Sequence, residues 1–380
     1  MRIGLVTGEY APMPGGVGDY TRELARALTQ AGHDVQVITR VAAADQGDGI
    51  RVHAVINRWG WRSLWQIRAL AARERLDVLN LQYQAAMYDL AAPIHALPRV
   101  AGRPCVVTFH DLRIPYLFPK AGRLRDRALT FLAQGSRAVI ATDARDAQAL
   151  RARGLQAVTH IPIGSNIRVA PPVDYDRAAW RARLRVRPAE FLIGYFGFLN
   201  ASKGGEALVL TLAKLVTRQA PAKLVLIGGA AGASDPTDQA YAAKIERLIE
   251  RHGIARYVVR TGFVSPEDVS GWLLACDVML LPYTDGVSLR RGSLLAALAH
   301  GVPVISTQPP QPLPEFVDGD NIRLVPVDAH PAMVLAVTGL MASPTLHARL
   351  SAGGRQLASA YGWGAIAERV ARVLTRASTA

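Results

Sequence analysis

The sequence predicts an α/β protein built from two successive Rossmann-like domains, each with a parallel sheet and with a ligand cleft between them. Three observations carry this. Short apolar runs of strand length alternate with helix-period segments from one end of the 380 residues to the other. The alternation lapses once, at residues 164–188 (GSNIRVAPPVDYDRAAWRARLRVRP), a stretch rich in proline and charge that reads as a linker. Half of the residues are hydrophobic, enough for two cores.

Before the linker, IGLVTG, DVQVITR, VLNLQY, CVVTFH, AVIAT and VTHIPI read as strands. Tyr20, Leu24, Ala27, Leu28 and Ala31 recur at helical spacing and predict a helix between the first two. After the linker, FLIGYFGFL, KLVLIGG, YVVRTGFV, DVMLLPY and PVIST read as strands, separated by helices near 204–218, 240–252, 266–275 and 292–300. The closing WGAIAERVARVLTRA reads as a terminal helix. The expected domains are 1–170, 171–357 and a C-terminal helix, 358–380, able to return to the N-terminal domain. Ligands of such folds sit at the carboxyl ends of the strands, so motifs there matter most.

Composition narrows the function classes. The formal charge of +14 invites a nucleic-acid or anionic-membrane reading. Its 39 arginines and five lysines are spread along the chain without clusters, which argues against nucleic acid. No run of about 18 apolar residues occurs, so no spanning helix is expected. The start, MRIGLVTGEYAP, reads as a first strand and not as a leader, and Cys105 and Cys276 read as buried thiols. These features place the chain in the cytoplasm. Peripheral contact at the inner membrane face is disfavoured, because in NRWGWRSLWQIRALAARER Arg68 and Arg75 fall among Trp61, Leu64, Trp65 and Ala72 and spoil an apolar face.

Four motifs bear on chemistry. The first is PMPGGVGDY, between strand one and helix one, where Gly15 and Gly16 would let backbone approach an anion; it lacks the G-x-G-x-x-G spacing of a dinucleotide site. The second is VVTFHDL, which puts His110 at a strand end. There it either meets a sugar hydroxyl or leaving phosphate or only caps the strand. In YFGFLNASKGG, Lys203 stands beside glycines before a helix and would face a diphosphate, or else is a solvated turn lysine. In LLPYTDGVSLRRGSLLAALAHGVPVIST, Arg290 and Arg291 precede a helix amino terminus, poor dipole chemistry unless an anion is bound or one of them pairs with Asp285.

In this order, with the TGFVSPEDV segment, the motifs resemble the large retaining glycosyltransferase family four over nearly the whole chain. The resemblance implies the GT-B fold, a nucleoside-diphosphate sugar as co-substrate, no metal or other cofactor, retained anomeric configuration, and a hydroxyl-bearing glycan, lipid-linked or small-molecule acceptor. It implies that Gly15 and Gly16 approach the diphosphate or sugar, His110 faces the transferred sugar and Lys203 holds the diphosphate. Val264 would sit by the base, and the amides of Gly292 and Ser293 would meet the distal phosphate. Two departures stand out. The family's arginine five residues before the lysine is Phe198. Its glutamate pair falls on Ser288 and Ala296 in one register, or on Asp285 and Ser293 in another. Asp285 or Ser288 would then hold sugar hydroxyls, and Arg290 or Arg291 would supply the phosphate interaction that Phe198 cannot make. The missing acid also leaves room for a sugar-nucleotide-binding protein of weak activity. An epimerase would need carboxylates not found here. The DGDN of Asp318–Asn321 has a metal-like spacing but reads as a turn between strands.

Overall fold

The computed structural model describes residues 1–379 other than 14, 45, 46, 48, 113–121 and 229–235, and of 122–125 and 236–238 the backbone alone. Two units form: Met1–Asn166 with Gly362–Ala380, and Ile167–Tyr361. The first contains β1 (Arg2–Val6), α1 (Gly16–Gln30), β2 (Asp34–Arg40), β3 (Arg51–Ile56), α2 (Trp61–Arg73), β4 (Val78–Tyr83), α3 (Leu97–Val100), β5 (Cys105–Phe109), α4 (Gly122–Gly135), β6 (Ala138–Ala141), α5 (Ala144–Ala152) and β7 (Val158–His160). The second contains α6 (Arg177–Arg183), β8 (Phe191–Phe196), α7 (Gly205–Thr217), β9 (Ala222–Ile227), α8 (Pro236–Arg251), β10 (Val258–Gly262), α9 (Pro266–Ala275), β11 (Val278–Leu281), α10 (Gly292–Ala299), β12 (Val304–Thr307), β13 (Arg323–Val325), α11 (His330–Ala342) and α12 (Pro344–Ser359). The last helix, α13 (Trp363–Thr379), belongs to the first unit again.

Each unit is a doubly wound parallel sheet. The strand orders are β3-β2-β1-β4-β5-β6-β7 and β10-β9-β8-β11-β12-β13, so the chain reverses direction between β1 and β4 and between β8 and β11. Helices cover both faces, which is why the central strands read as continuous apolar runs rather than as alternation. On one face of the first sheet, Ile3, Leu5, Val37 and Val106 pack under Leu24 and Leu28 of α1 and Ile366, Val370 and Leu374 of α13. On the other, Leu79, Leu81, Val107 and Phe109 meet Leu64, Ile67 and Leu70 of α2 and Leu129 and Leu132 of α4. In the second unit α6 lies so close to α9 that a Cβ at Gly271 would fall 2.5 Å from the Trp180 ring.

Several sequence expectations are corrected here. Strand β3, at a sheet edge, is not among the expected strands; it is half-exposed, and half-buried strands carry a weak apolar signal. The face of α2 is also different. Leu64, Ile67, Leu70 and Ala71 point inward, while Trp61 and Trp65 are 60% and 58% exposed. Arg68 lies over the Trp65 ring at 5.5 Å, so the tryptophans share the arginine's outward face and do not belong to a mixed apolar stripe. Cys105 and Cys276 are buried and unbridged. Among the described residues no single helix is long and apolar enough to cross a membrane.

Candidate active site

The loop after β1 is expected to leave helix α1 open to an anion, and the chain supplies an anion of its own. Glu9 Oε1 accepts hydrogen bonds from the amides of Val17 (3.0 Å) and Gly18 (3.1 Å), in the first turn of α1. A carboxylate at a helix amino terminus is favoured by the unpaired amides and the dipole together. Gly15 makes this possible: a Cβ there would overlap the Glu9 carboxylate, whereas Gly16 faces open space. Gly15 therefore admits Glu9, and Gly16 is the glycine of the pair with room for a ligand. Pro14 of this motif lies outside the described residues.

His110 follows β5 directly. Its amide donates to the Tyr83 carbonyl (3.0 Å), and Nε2 bonds Gln82 Oε1 at 2.8 Å. The Tyr20 ring meets the imidazole edge-on at 4.6 Å, and Trp363 at the start of α13 meets Tyr20 at 5.2 Å. Trp363 is held in turn by a bond from its Nε1 to the Ser165 carbonyl (2.6 Å). Desolvation pushes the imidazole down to about 3, so His110 is neutral at pH 7. A neutral imidazole here serves as a hydrogen-bonding group and is a poor proton donor. Gln82 and Tyr20 together fix the position and the plane of the ring.

In the second unit, Lys203 ends the loop that leaves β8. Gly197 has φ +110°, and a Cβ on it would come 3.0 Å from Lys203 Nζ, so the ammonium folds back over the strand end. Gly204, at φ +67°, lies where a Cβ would overlap the Pro282 carbonyl oxygen; only glycine fits this position. That close approach ties the loop to the next strand. Thr284 reinforces it, its amide donating to the Ser202 carbonyl (3.0 Å). The loop after β11 therefore lies beside the Lys203 loop, at the carboxyl ends of the two strands flanking the switch point of the sheet. Both loops belong to one unit.

Within this second loop, Arg291 Nη2 pairs with Asp285 Oδ1 at 2.5 Å, and its guanidinium carbon stands 4.6 Å from the centre of the Tyr283 ring. Pairing with Asp285, one of the alternatives expected for the arginines, is present at Arg291. Arg291 also caps α10, and Arg290 beside it is half-buried. Tyr283, not anticipated from the sequence, is buried and its hydroxyl bonds Ser293 Oγ (2.9 Å). Burial raises this phenol to about 12, keeping it neutral. Gly286 (φ +79°) packs on the Gln308 carbonyl, and the Val287 amide donates to Thr307, which pins the loop to β12. Ser288 is half-buried, its carbonyl accepting from the Arg291 amide (3.2 Å). A Cβ on Gly292 would meet open space. Val264 packs partly into the core just after β10, while Phe263 next to it is 90% exposed. Phe198 is 42% exposed at the end of β8. Asp318 accepts from the Leu324 amide (2.8 Å) and pairs with Arg323 (3.0 Å), so its carboxylate is used within the turn.

Comparison with known proteins agrees with this architecture. Residues 15–164 match the family model described as "Glycosyl transferase 4-like domain", and residues 190–343 match "Glycosyl transferases group 1". The D-inositol 3-phosphate glycosyltransferase of Arthrobacter sp. is 26% identical over 92% of this chain and 87% of its own length. The phosphatidyl-myo-inositol mannosyltransferase of Mycolicibacterium smegmatis is 27% identical over 100% of this chain and 95% of its own length. Among solved structures, HepE of Anabaena in complex with UDP-glucose superposes with a TM-score of 0.76 at 19% identity, covering 99% of this chain and 100% of that one. Sucrose-phosphate synthase of Thermosynechococcus elongatus gives 0.74 at 20%, covering 99% and 98%. The two family models, in chain order and each on its own Rossmann-like unit, identify the chain as a glycosyltransferase of family four with the GT-B fold.

Proposed function

We propose that the protein transfers a hexose from a nucleoside-diphosphate sugar to a hydroxyl acceptor, with retention of anomeric configuration and without a metal. The observation that carries this reading is the pair of stitched loops at the ends of β8 and β11. They gather Lys203, the Arg291–Asp285 pair and the amino terminus of α10 in one unit. This is a setting for a diphosphate: a fixed ammonium, first-turn amides at Gly292 and Ser293, and guanidinium groups at Arg290 and Arg291. The UDP-glucose complex of HepE supports a nucleotide-sugar donor. The inositol-phosphate and phosphatidylinositol relatives support a polyol or lipid-linked acceptor.

In this reaction the acceptor oxygen bonds the anomeric carbon as the bond from that carbon to the diphosphate oxygen breaks, on the same face, and the hydroxyl proton passes to the departing diphosphate. Lys203 and the arginines offset the charge growing there. His110, neutral, holds a sugar hydroxyl. A thermal-shift screen with uridine, guanosine and adenosine diphosphates tests the binding half. One of them, at about 100 times its Kd, is expected to stabilise the fold by roughly 2.7 kcal/mol. No shift with any of the three contradicts the reading.

A second reading has one observation in its favour. Asp285, at the place of the family's first glutamate in one register, is paired with Arg291, and the second glutamate falls on Ser293, which bonds Tyr283, or on Ala296, neither of them a carboxylate. A protein that binds sugar nucleotides and turns them over slowly fits this. Tight diphosphate binding without turnover across a donor and acceptor screen would favour it.

A further inference from the structure

The carboxamides that stand behind His110 form a directed chain. Asn80 and Gln82 lie two residues apart on β4, Thr108 and His110 two apart on β5 and just after it, and the register pairs Asn80 with Val106 and Gln82 with Thr108. All three of Asn80, Gln82 and Thr108 are completely buried. Asn80 Nδ2 donates to the Val106 carbonyl (3.2 Å) and to Thr108 Oγ1 (2.9 Å). Gln82 Nε2 donates to Asn80 Oδ1 (2.5 Å), and Gln82 Oε1 stands 2.8 Å from His110 Nε2.

Only one set of hydrogen positions satisfies this chain. The Val106 carbonyl is acceptor only, so Asn80 must turn its NH2 group toward it and its oxygen toward Gln82. Gln82 must then turn its own NH2 group toward that oxygen, which leaves Oε1 against the imidazole. An amide oxygen accepts and cannot donate, so the proton between Gln82 and His110 sits on the histidine. The assignment rests on a backbone carbonyl and not on a choice of amide orientation at any one residue. A reversed chain would set the Asn80 amide oxygen against the Val106 carbonyl oxygen, two acceptors in contact inside a sheet where water has no access.

We infer that Asn80 and Gln82 are positioning residues that hold His110 in the Nε2–H tautomer and so reserve Nδ1, with its lone pair, as the nitrogen offered to a ligand hydroxyl. Among the described residues no hydrogen bond is made to Nδ1. The low basicity of the half-buried ring agrees with a neutral acceptor, and Tyr20 holds the ring plane from the side. The role of His110 is thereby narrowed: it accepts from a hydroxyl of the transferred sugar and does not protonate the leaving diphosphate. This role rests on the transfer reaction proposed above, while the tautomer does not.

The tautomer is read in protein labelled with 15N-histidine, from the two- and three-bond couplings of the ring whose signals vanish in His110→Ala. At neutral pH and without ligand, Nε2 is expected to be protonated and Nδ1 bare; a proton on Nδ1 overturns the inference. Gln82→Leu removes the acceptor and is expected to give mixed tautomers and turnover lowered about 10-fold or more, at unchanged nucleotide affinity. A Gln82→Leu protein with the parent tautomer and parent turnover overturns the inference. If Gln82→Leu does not fold, the spectrum of the parent decides alone. Absence of transfer in the parent would sink the reaction proposed above and leave the tautomer measurement standing.

Discussion

Arg291 closes on Asp285 at 2.5 Å above the face of Tyr283, so one guanidinium is gripped by a carboxylate and an aromatic ring in a loop that starts a helix. In this state the carboxylate occupies the place of an anion. If a diphosphate takes it up, removing the carboxylate's charge should help. Asp285→Asn is therefore expected to tighten nucleoside-diphosphate binding severalfold in calorimetry while lowering turnover. Arg291→Lys keeps the charge and removes the fork, and should weaken the same binding by about 1 to 2 kcal/mol. Weaker binding in Asp285→Asn would mean that the pair serves to order the loop, with the phosphate left to Arg290.

Gly197 and Gly204 separate two kinds of damage in one loop. Gly197→Ala puts a Cβ 3.0 Å from Lys203 Nζ at φ +110°, and is expected to lower donor affinity about as much as Lys203→Ala. Gly204→Ala drives a Cβ into the Pro282 carbonyl and should cost about 1–3 kcal/mol of stability or more, read as a lower midpoint in urea. Equal melting of Gly204→Ala and parent would contradict the close approach.

His110→Ala is expected to lower turnover about 10²-fold. Because it orphans the buried Gln82 oxygen, it should also cost about 1–3 kcal/mol, a destabilisation that His110→Gln would reduce. The pH dependence has a definite sign. The folded imidazole titrates at about 3 against 6.5 for the ordinary side chain, so between these values the unfolded chain binds the extra proton. The contribution is whole above about pH 6.5 and is lost as pH falls toward 3. His33, His53, His95 and His300 are lowered too, also mainly by burial. The test is thus the difference between parent and His110→Gln, whose stability should fall less steeply below pH 6.5.

What can be read from the sequence depends on how local the cause is. β2 and β4 span the residues of DVQVITR and VLNLQY, because strands buried on both faces are predominantly apolar along their length. RVHAVI gives no such signal, since an edge strand with half-exposed residues has no continuous apolar run. By residue type Trp61 and Trp65 belong to an apolar face, yet the sheet takes Leu64 and Ile67, and only the position of the neighbouring strands decides that. The site divides the same way. His110 and Lys203 stand out as polar residues at strand ends. Glu9, Tyr283 and Gly197 act through contacts with residues distant in the chain or through backbone conformation, and leave no local signal. Gln82 leaves a trace: N-x-Q in one strand beside T-x-H in the next is a period-two polar stripe in otherwise apolar sequence.

Leu64 and Trp65 test the corrected face of α2. Leu64→Ala should cost about 2–5 kcal/mol, as a buried leucine in a packed core, whereas Trp65→Ala, with its ring outward, should change the urea midpoint little. The reverse ranking would restore the tryptophans to the core face.

Retaining, metal-independent transfer is tested most directly by one measurement: incubate the protein with candidate nucleotide sugars and polyol, glycan and lipid-linked acceptors, with and without a chelator, and follow nucleotide release and the anomeric configuration of the product. The expected result is release of a nucleoside diphosphate that requires Lys203, is unchanged by chelation, and yields a product of the donor's own configuration. An inverted product, or turnover abolished by chelation and restored by a divalent metal, would contradict it.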